Sequence, residues 1–96
     1  MIKSFKDQFT EDIHHNQKTT KTRKFPPELF KIARRKLAMV DYANDLEDLM
    51  VPPSNKLEKK KGNLKDYYAI RINDQWRVLF KWDGQNADDV HIKDYH

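Results

Sequence analysis

The side chains best suited to chemistry lie in the second half of the chain. Arg71 and Arg77 belong to the run YYAIRINDQWRVLFKW, and the sequence ends in Asp94, Tyr95 and His96. Such cations, carboxylates, phenols and imidazoles are sufficient for metal-free RNA cleavage. In that reaction a base removes the 2′-hydroxyl proton, the oxygen attacks the adjacent phosphate, cations stabilise the developing charge and an acid protonates the leaving 5′-oxygen. DNA lacks the 2′-hydroxyl and would be spared.

Other catalytic classes lack their characteristic residues in this sequence. The chain has no cysteine, which excludes a disulfide framework and a thiolate metal site. His14 and His15 are adjacent, so on a helix they would point to different sides, an arrangement unsuited to binding one metal ion. Neither a glycine-rich phosphate loop nor a serine nucleophile motif is present. The sequence therefore predicts no metal and no cofactor.

A β-hairpin is predicted to position the two arginines. Apolar residues occur at every second position in residues 68–72 and again in residues 76–82, on either side of a polar break at residues 73–75. This alternation indicates two half-buried strands, and a three-residue loop with a left-handed Asn or Asp would keep their apolar faces on one side. Arg71 then lies opposite Arg77 on the other face. Because opposed like charges destabilise a sheet, either a polyanion binds there or both arginines are solvated or paired with nearby carboxylates.

The first half of the chain is predicted to supply helices that cover the apolar face. Residues 1–6 are predicted to form an edge strand, and Phe9 and Ile13 suggest a short helix. The principal helix begins near Pro26 and Pro27 and continues to Ala43, with apolar residues at helical spacing. These elements predict an α+β fold, in which helices cover one face of a small, curved, mostly antiparallel sheet and the other face is left to water or a ligand.

Three features of this half carry further expectations. Residues 16–24 (NQKTTKTRK) have no apolar anchor, so we expect them to be the most mobile part of the fold. Lys36 is expected on the helix surface together with its charged neighbours. Met39 and Tyr42 could be core or partner contacts, and we assign them to the core.

A lysine-rich segment, SNKLEKKKGNLK (residues 54–65), leads into the hairpin. Leu57 is its one apolar anchor before Leu64, so it is predicted to be a surface loop or a short irregular strand. A charge run of this kind is usually a solvated face, but this one leads directly to the arginine-bearing face and is well placed to bind phosphates. The predicted RNA-binding residues are Lys56, Lys59, Lys60 and Arg71.

The last strand is predicted from residues 88–96. Val90 and Ile92 should point inward, which places His91, Lys93 and Tyr95 on the face of Arg71 and Arg77, whereas Asp94 and His96 reach it only if the chain twists. A tyrosine needs cations to favour its phenolate, since its unperturbed pKa is about 10, while a histidine near 6.5 exchanges protons readily. The alternative is that Tyr95 and His96 are the frayed end of an edge strand. The role of His91 stays open.

Length and charge set the remaining bounds. A chain of 96 residues forms one domain with a core near the lower limit for independent stability. No stretch is long and apolar enough for a bilayer span or a secretory signal, so we expect a cytoplasmic protein without a membrane partner. The formal net charge of +4 and pI ≈ 9.3 favour an anionic partner, although many soluble domains carry as much charge without binding nucleic acid.

Three strings resemble a known family: PPSNKLE, KGNLKDYYAIRINDQWRVLFKW and the terminal DYH look like the HigB toxins, a branch of the RelE/ParE superfamily of bacterial toxin–antitoxin systems. The similarity covers essentially the whole chain, residues 1–96. It implies a RelE-like fold and inhibition of translation by cleavage of mRNA in the ribosomal A site. It also implies neutralisation by a helix-turn-helix antitoxin of the HigA type, through which alone the toxin would reach operator DNA.

The resemblance also assigns roles by position. Arg77 matches the phosphate-binding arginine of the family, Lys61 matches its active-site lysine, and Asp94, Tyr95 and His96 match its C-terminal catalytic cluster. One position departs from the pattern: where the best-known members have a histidine after the KL dipeptide, this sequence has Glu58. That residue could be a general base or a loop carboxylate that neutralises nearby lysines.

Two function classes follow from these residues. The leading one is a ribosome-dependent endoribonuclease, with a nuclease activity that Glu58 could weaken. The alternative is a toxin of the same fold that binds its target, the ribosome or gyrase, without cleaving RNA. Such toxins generally lack the acid and base residues, so the DYH terminus argues against this alternative. A third class, a plain RNA-binding module, predicts no growth arrest on expression.

Overall fold

A four-stranded antiparallel sheet forms the centre of the computed structural model, which describes residues 1–95. The strands are β1 (Glu58–Lys59), β2 (Tyr68–Arg71), β3 (Trp76–Trp82) and β4 (Ala87–Asp94). Each strand pairs with the next in the sequence, so the sheet has the order β1-β2-β3-β4. The predicted α+β class is confirmed.

The hairpin between β2 and β3 has the predicted register. Tyr68 pairs with Phe80, and Arg71 pairs with Arg77. The loop closes differently from the expectation, because the residues with positive φ within residues 1–95 all lie elsewhere. Instead, the Asn73 side-chain oxygen accepts hydrogen bonds from the backbone N–H of residues 75 and 76, at 3.0 and 2.8 Å. A side chain thus does what a left-handed residue was expected to do.

Two α-helices cover one face of the sheet: α1 (Gln8–His14) and α2 (Phe30–Tyr42). Asp7 caps α1 by accepting a hydrogen bond from the Thr10 N–H at 2.9 Å. The buried apolar residues of α2 pack against the apolar face of β2 and β3; they are Phe30, Ala33, Leu37 and Val40. Within residues 1–95, neither helix has the length and hydrophobicity to cross a membrane.

Two side chains of α2 lie where the sequence did not predict them. Met39 packs partly buried against the core, as expected, but Tyr42 is 81% exposed. Lys36 is buried, and its ammonium donates a hydrogen bond of 2.5 Å to the side-chain oxygen of the fully buried Asn55. The Asn55 amide in turn donates to the Leu49 carbonyl at 3.1 Å. The assignments of Tyr42 to the core and of Lys36 to the surface are therefore wrong.

The N-terminal segment lies along the outer edge of β4 without forming a continuous strand. Two isolated parallel bridges join Ile2 to Ala87 and Phe5 to Val90. Between them Asp89 takes a left-handed conformation with φ 50°, and its N–H donates to the Ser4 hydroxyl at 2.9 Å. This local distortion of β4 interrupts the regular ladder, which is why the predicted edge strand is reduced to two isolated bridges.

Residues 16–24 are held by polar side chains. The Thr19 hydroxyl donates to Asp12 at 2.8 Å, and the Thr19 N–H donates to the Thr22 hydroxyl at 3.0 Å. Thr22 is buried within a single 3₁₀ turn (Thr20–Thr22). The segment has no apolar anchor, as the sequence indicated, but threonines and a carboxylate hold it in place. That it is the most mobile part of the fold stays a prediction.

The second face of the sheet is partly covered by the chain itself. Tyr67, Ala69 and Leu79 form a small buried cluster there, with Leu64 and Tyr95 packed against it. The expectation that this whole face is left to water or a ligand was therefore too simple. The uncovered part, beyond this cluster, bears the cationic residues described next.

Candidate active site

Three cations form a row across the sheet, on the face away from the helices. Arg71 in β2 is the partner of Arg77 in β3, and Arg77 is the partner of Lys93 in β4. Side chains of directly paired residues share one face, so three positive charges lie side by side. The row attracts anions, and the alternation in the sequence had placed all three residues on this face.

The two arginines differ in how they are held. A guanidinium nitrogen of Arg71 lies 2.5 Å from a carboxylate oxygen of Asp74, and this hydrogen bond holds the pKa of Asp74 below its usual value. Arg77 instead donates to the backbone carbonyls of Asn73 and Trp76. Within residues 1–95 no carboxylate forms an ion pair with Arg77. The hairpin loop thus fixes the position of Arg77 without neutralising its charge.

Tyr95 is in contact with two cations at the end of this row. The Arg77 guanidinium carbon is 5.1 Å from the centre of the Tyr95 ring, and the Lys60 ammonium is 4.7 Å from it. The Tyr95 N–H donates to the Gln75 carbonyl at 2.7 Å, so strand-like pairing continues past β4. The buried Tyr95 hydroxyl makes no hydrogen bond with the described part of the chain. Such an unpaired group costs about 1–3 kcal/mol and calls for an explanation.

Lys60 connects Tyr95 to Glu58. Its ammonium lies 3.2 Å from a Glu58 carboxylate oxygen and 4.7 Å from the centre of the Tyr95 ring. The approach to Tyr95 is the largest effect that raises the pKa of Lys60, and Glu58 adds to it. Glu58 is the strand partner of Ala69 and so lies on the site face. These contacts support its interpretation as a neutralising carboxylate.

The other predicted lysines lie further from Tyr95. Lys59 is the strand partner of Tyr68, and its ammonium lies 5.0 Å from the centre of that ring, on the core side of the sheet. Lys61 is exposed, and within residues 1–95 its ammonium makes no hydrogen bond or ion pair. Lys56 is exposed near the Arg71–Asp74 pair, where its charge contributes to the lowered pKa of Asp74. Of the four lysines, Lys60 is thus the one in contact with the tyrosine.

Two residues near the C-terminus occupy less accessible or more peripheral positions. His91 lies on the predicted face but is buried, with its ring edge-on to Tyr67 at 5.3 Å, and burial lowers its pKa. It is therefore covered by the chain. Asp94 is exposed and accepts a hydrogen bond from the Gln75 side chain at 3.1 Å. The predicted site residue His96 lies outside the described residues.

The family follows from comparison with known proteins. The model of the RelE-like toxin of the type II toxin–antitoxin system HigB matches residues 3–96. The chain belongs to the HigB-like toxin family. Toxin HigB-1 of Vibrio cholerae is 37% identical to it over 95 residues, which cover 99% of this chain and 94% of that protein. An uncharacterised protein of Haemophilus influenzae is 32% identical over 69 residues, which cover 72% and 68% of the two chains.

This membership confirms the resemblance found in the sequence. The protein is the toxin of a type II toxin–antitoxin system, so its partner is an antitoxin. The two helices and the four-stranded sheet agree with a RelE-like fold.

Sequence reasoning left several cations of the toxin out of the site. Lys93 was placed on the correct face but given no role, although it continues the cationic row. Lys81 and Lys6 lie 5.4 and 5.8 Å from the ring centre of Tyr67, next to the small apolar cluster. The alternation of β3 could have indicated Lys81, since it follows Arg77 and Leu79 at every second position. Lys6 is distant in sequence, and no local pattern indicated it.

The arrangement can bind a phosphate and stabilise negative charge on it. Arg77, Lys93 and Lys60 supply positive charge, and Tyr95 adds a hydroxyl without a partner in residues 1–95. A phenol beside cations can donate a hydrogen bond to a phosphate oxygen or take part in proton transfer. Within the described residues, no three His, Asp or Glu side chains lie together as ligands for a metal ion.

Proposed function

We propose that the toxin is a ribosome-dependent mRNA endonuclease that inhibits translation by metal-free attack of a 2′-hydroxyl on the adjacent phosphate. The observation that carries this proposal is Tyr95, whose buried and unpaired hydroxyl lies beside Arg77 and Lys60. A bound phosphate would supply the missing hydrogen-bond partner.

Each residue has a role in this reaction. Arg77 binds the scissile phosphate and stabilises the charge that develops on it, because its guanidinium is fixed by the hairpin loop. Tyr95 orients the substrate and takes part in proton transfer. His96 and Asp94 complete the acid and base set, and Lys61 adds a cation; these three roles rest on the family resemblance. Arg71 and Lys56 bind RNA phosphates further along the strand.

A toxin that binds without cleaving remains the second candidate, and one contact favours it. Glu58 forms an ion pair with Lys60 at 3.2 Å, so a carboxylate lies on the face where phosphate would bind. This carboxylate repels an incoming phosphate and neutralises part of the cation beside Tyr95. A weak nuclease, or none, is the corresponding expectation.

The proposed partners follow from the proposed endonuclease function. They are the ribosome and its mRNA, together with a helix-turn-helix antitoxin of the HigA type, and operator DNA is reached only through that antitoxin. The proposed location is the cytoplasm, where ribosomes translate mRNA.

Toeprinting of an mRNA on purified ribosomes tests this function. Wild-type toxin should produce new 3′ ends within the ribosomal A site, and a variant that lacks Tyr95 and His96 should produce none. The truncated protein should still bind ribosomes and the antitoxin, because it retains β4 and the cationic row. Cleavage at the wild-type rate by the truncated protein removes Tyr95 and His96 from the mechanism. Growth arrest without any cleavage by the wild type favours the non-cleaving candidate.

A further inference from the structure

The outward side of α2 carries a cationic surface that the proposed reaction does not use. Lys31, Arg34 and Arg35 lie within little more than one helical turn. At 100° per residue their direction is almost opposite to that of the buried Ala33 and Val40. Because α2 packs on the core face of the sheet, this surface belongs to the helical layer and not to the sheet face that bears Arg77 and Tyr95. We name it the α2 outer surface.

The charges of the α2 outer surface are not neutralised. Within residues 1–95, none of its three cations forms an ion pair. Asp41 is the carboxylate on this side of the helix, but it accepts a hydrogen bond from the Ile2 N–H at 2.8 Å and lies 4.0 Å from His14. Those contacts hold it to the N-terminal segment and to α1. Local repulsion among the three cations is therefore uncompensated until an anion binds.

Two further features of this surface indicate a ligand. The Arg34 Nε is buried yet makes no hydrogen bond within the described chain, so one donor of this guanidinium has no acceptor. Tyr42, seven residues after Arg35, is 81% exposed, and it lines the same cavity as the three cations. A flat ring beside cations is the combination that proteins use to stack a base while binding its phosphates.

We propose that the α2 outer surface binds the phosphate backbone of structured RNA, with Tyr42 available to stack on an unpaired base. A protein partner fits less well, because a protein interface needs a buried apolar centre. Apart from the Tyr42 ring, the apolar side chain that lines this cavity is Ala38, a small one. Unpaired arginines without an apolar anchor suit phosphates, which bind through charge and hydrogen bonds alone.

This inference deepens the proposed function. It rests on that function: a nuclease that acts on the ribosome would gain affinity from a contact with ribosomal RNA besides the one with mRNA. With the sheet face occupied by mRNA, the α2 outer surface is free to supply that second contact from the helical layer.

The test compares two triple variants with equal loss of charge. The first is Lys31→Gln, Arg34→Gln and Arg35→Gln. The control is Lys3→Gln, Lys21→Gln and Arg23→Gln, three exposed cations on other parts of the surface. Both are made in an Arg77→Ala background, which weakens the sheet-face site and limits cleavage. Fluorescence anisotropy with a stem–loop RNA is measured over a series of salt concentrations, and circular dichroism verifies that each variant is folded.

The α2 variant should bind the stem–loop about tenfold more weakly, and its salt dependence should fall by about three in the log–log slope, one for each lost phosphate contact. The control should change both quantities much less. Tyr42→Ala should weaken binding to the stem–loop and leave binding to a blunt RNA duplex unchanged, whereas Tyr42→Phe should behave as the wild type. Equal affinity and slope for the α2 variant and its control overturn the proposal.

Two arms separate this proposal from its alternatives. If the α2 variant loses affinity for the antitoxin but keeps it for RNA, the surface is a protein interface and the proposal is wrong. Stem–loop binding does not depend on catalysis. A toxin that shows the expected stem–loop binding but never cuts mRNA therefore contradicts the proposed function and leaves this inference standing.

Discussion

At the scale of single residues, the candidate site depends on one fixed guanidinium and one orphaned phenol. Arg77 is held by two backbone carbonyls, and Tyr95 has two cations close to its ring. A neighbouring arginine, Arg71, is already paired with Asp74. The three side chains thus differ in how far their polar groups are already paired within the protein. Substitution of each residue can measure the effect of this difference on substrate binding.

Arg77→Ala should lower mRNA cleavage on ribosomes by about a hundredfold, the scale of losing one preorganised charge-stabilising donor. Arg71→Ala is the matched control on the neighbouring strand. It should have a clearly smaller effect, because Asp74 neutralises Arg71 in the free protein. Growth arrest at equal protein level is the second readout, and undiminished arrest in the Arg77→Ala strain would exclude the residue from the mechanism.

Lys60→Met and Lys61→Met distinguish the contact seen in the structure from the role implied by the family. Lys60 touches Tyr95, whereas Lys61 is exposed without such a contact. If the ammonium beside Tyr95 acts on the phosphate, Lys60→Met should reduce cleavage by about a hundredfold and Lys61→Met by much less, with Lys60→Arg retaining most activity. The reverse order would assign the role to Lys61. Single-turnover cleavage on purified ribosomes provides the rates.

At the scale of elements, polar side chains join segments that have no apolar reason to meet. Asn55, fully buried, links the Lys36 ammonium of α2 to the chain that enters the sheet. Asp12 of α1 likewise holds residues 16–24 through Thr19. Both links are buried or half-buried, and each can be removed without touching the cationic row.

Asn55→Ala should destabilise the fold by about 3 kcal/mol, because it leaves the buried Lys36 ammonium without its acceptor. The measurement is the free energy of unfolding in urea. Ser54→Ala, at an exposed neighbouring position, is the control and should change stability by less than about 0.5 kcal/mol. If Asn55→Ala is as mild as its control, the Lys36–Asn55 contact contributes little to the fold.

Residues 16–24 should exchange their amide hydrogens faster than residues 70–80, although slower than an unanchored loop would. Thr19→Val, which removes the hydroxyl but keeps the side-chain shape, should raise exchange in this segment alone. Slow exchange that Thr19→Val leaves unchanged would mean that the anchor lies elsewhere.

The same anchor should respond to acid. Hydrogen bonds from Gln8 and Thr19 hold the pKa of Asp12 below its ordinary value of 3.8. Since the folded pKa is depressed, the stabilisation is fully present above the unfolded value and is lost as the pH falls through the lower folded one. Exchange in residues 16–24 should therefore increase at a pH below that of an ordinary aspartate, and Asp12→Asn should abolish this step. An identical acid profile in Asp12→Asn would assign the step to another carboxylate.

At the scale of the whole molecule, the features that could be predicted from the sequence are those that depend on short repeats of apolar residues. Two-residue alternation was enough for the hairpin, for its register and for the face of Tyr95, and helical spacing was enough for α2. The burial of Lys36 and the anchor of residues 16–24 depend on partners elsewhere in the chain, which no local pattern reveals. The apolar cover over His91 was missed for the same reason, since Tyr67 lies far from it in sequence. The contact of Lys60 with Tyr95 likewise follows from the packing of two distant segments.

Both edges of the sheet are guarded against pairing with another chain. On one edge β1 has only two residues, one of them a lysine, and on the other edge residues 1–6 lie against β4 through two isolated bridges. Short, charged or covered edges are the devices by which sheets avoid edge-to-edge aggregation. An antitoxin that recognised this toxin by adding a strand to the sheet would first have to displace β1 or residues 1–6. We therefore expect neutralisation through side-chain surfaces, and a toxin that remains monomeric at high concentration when it is free of its antitoxin.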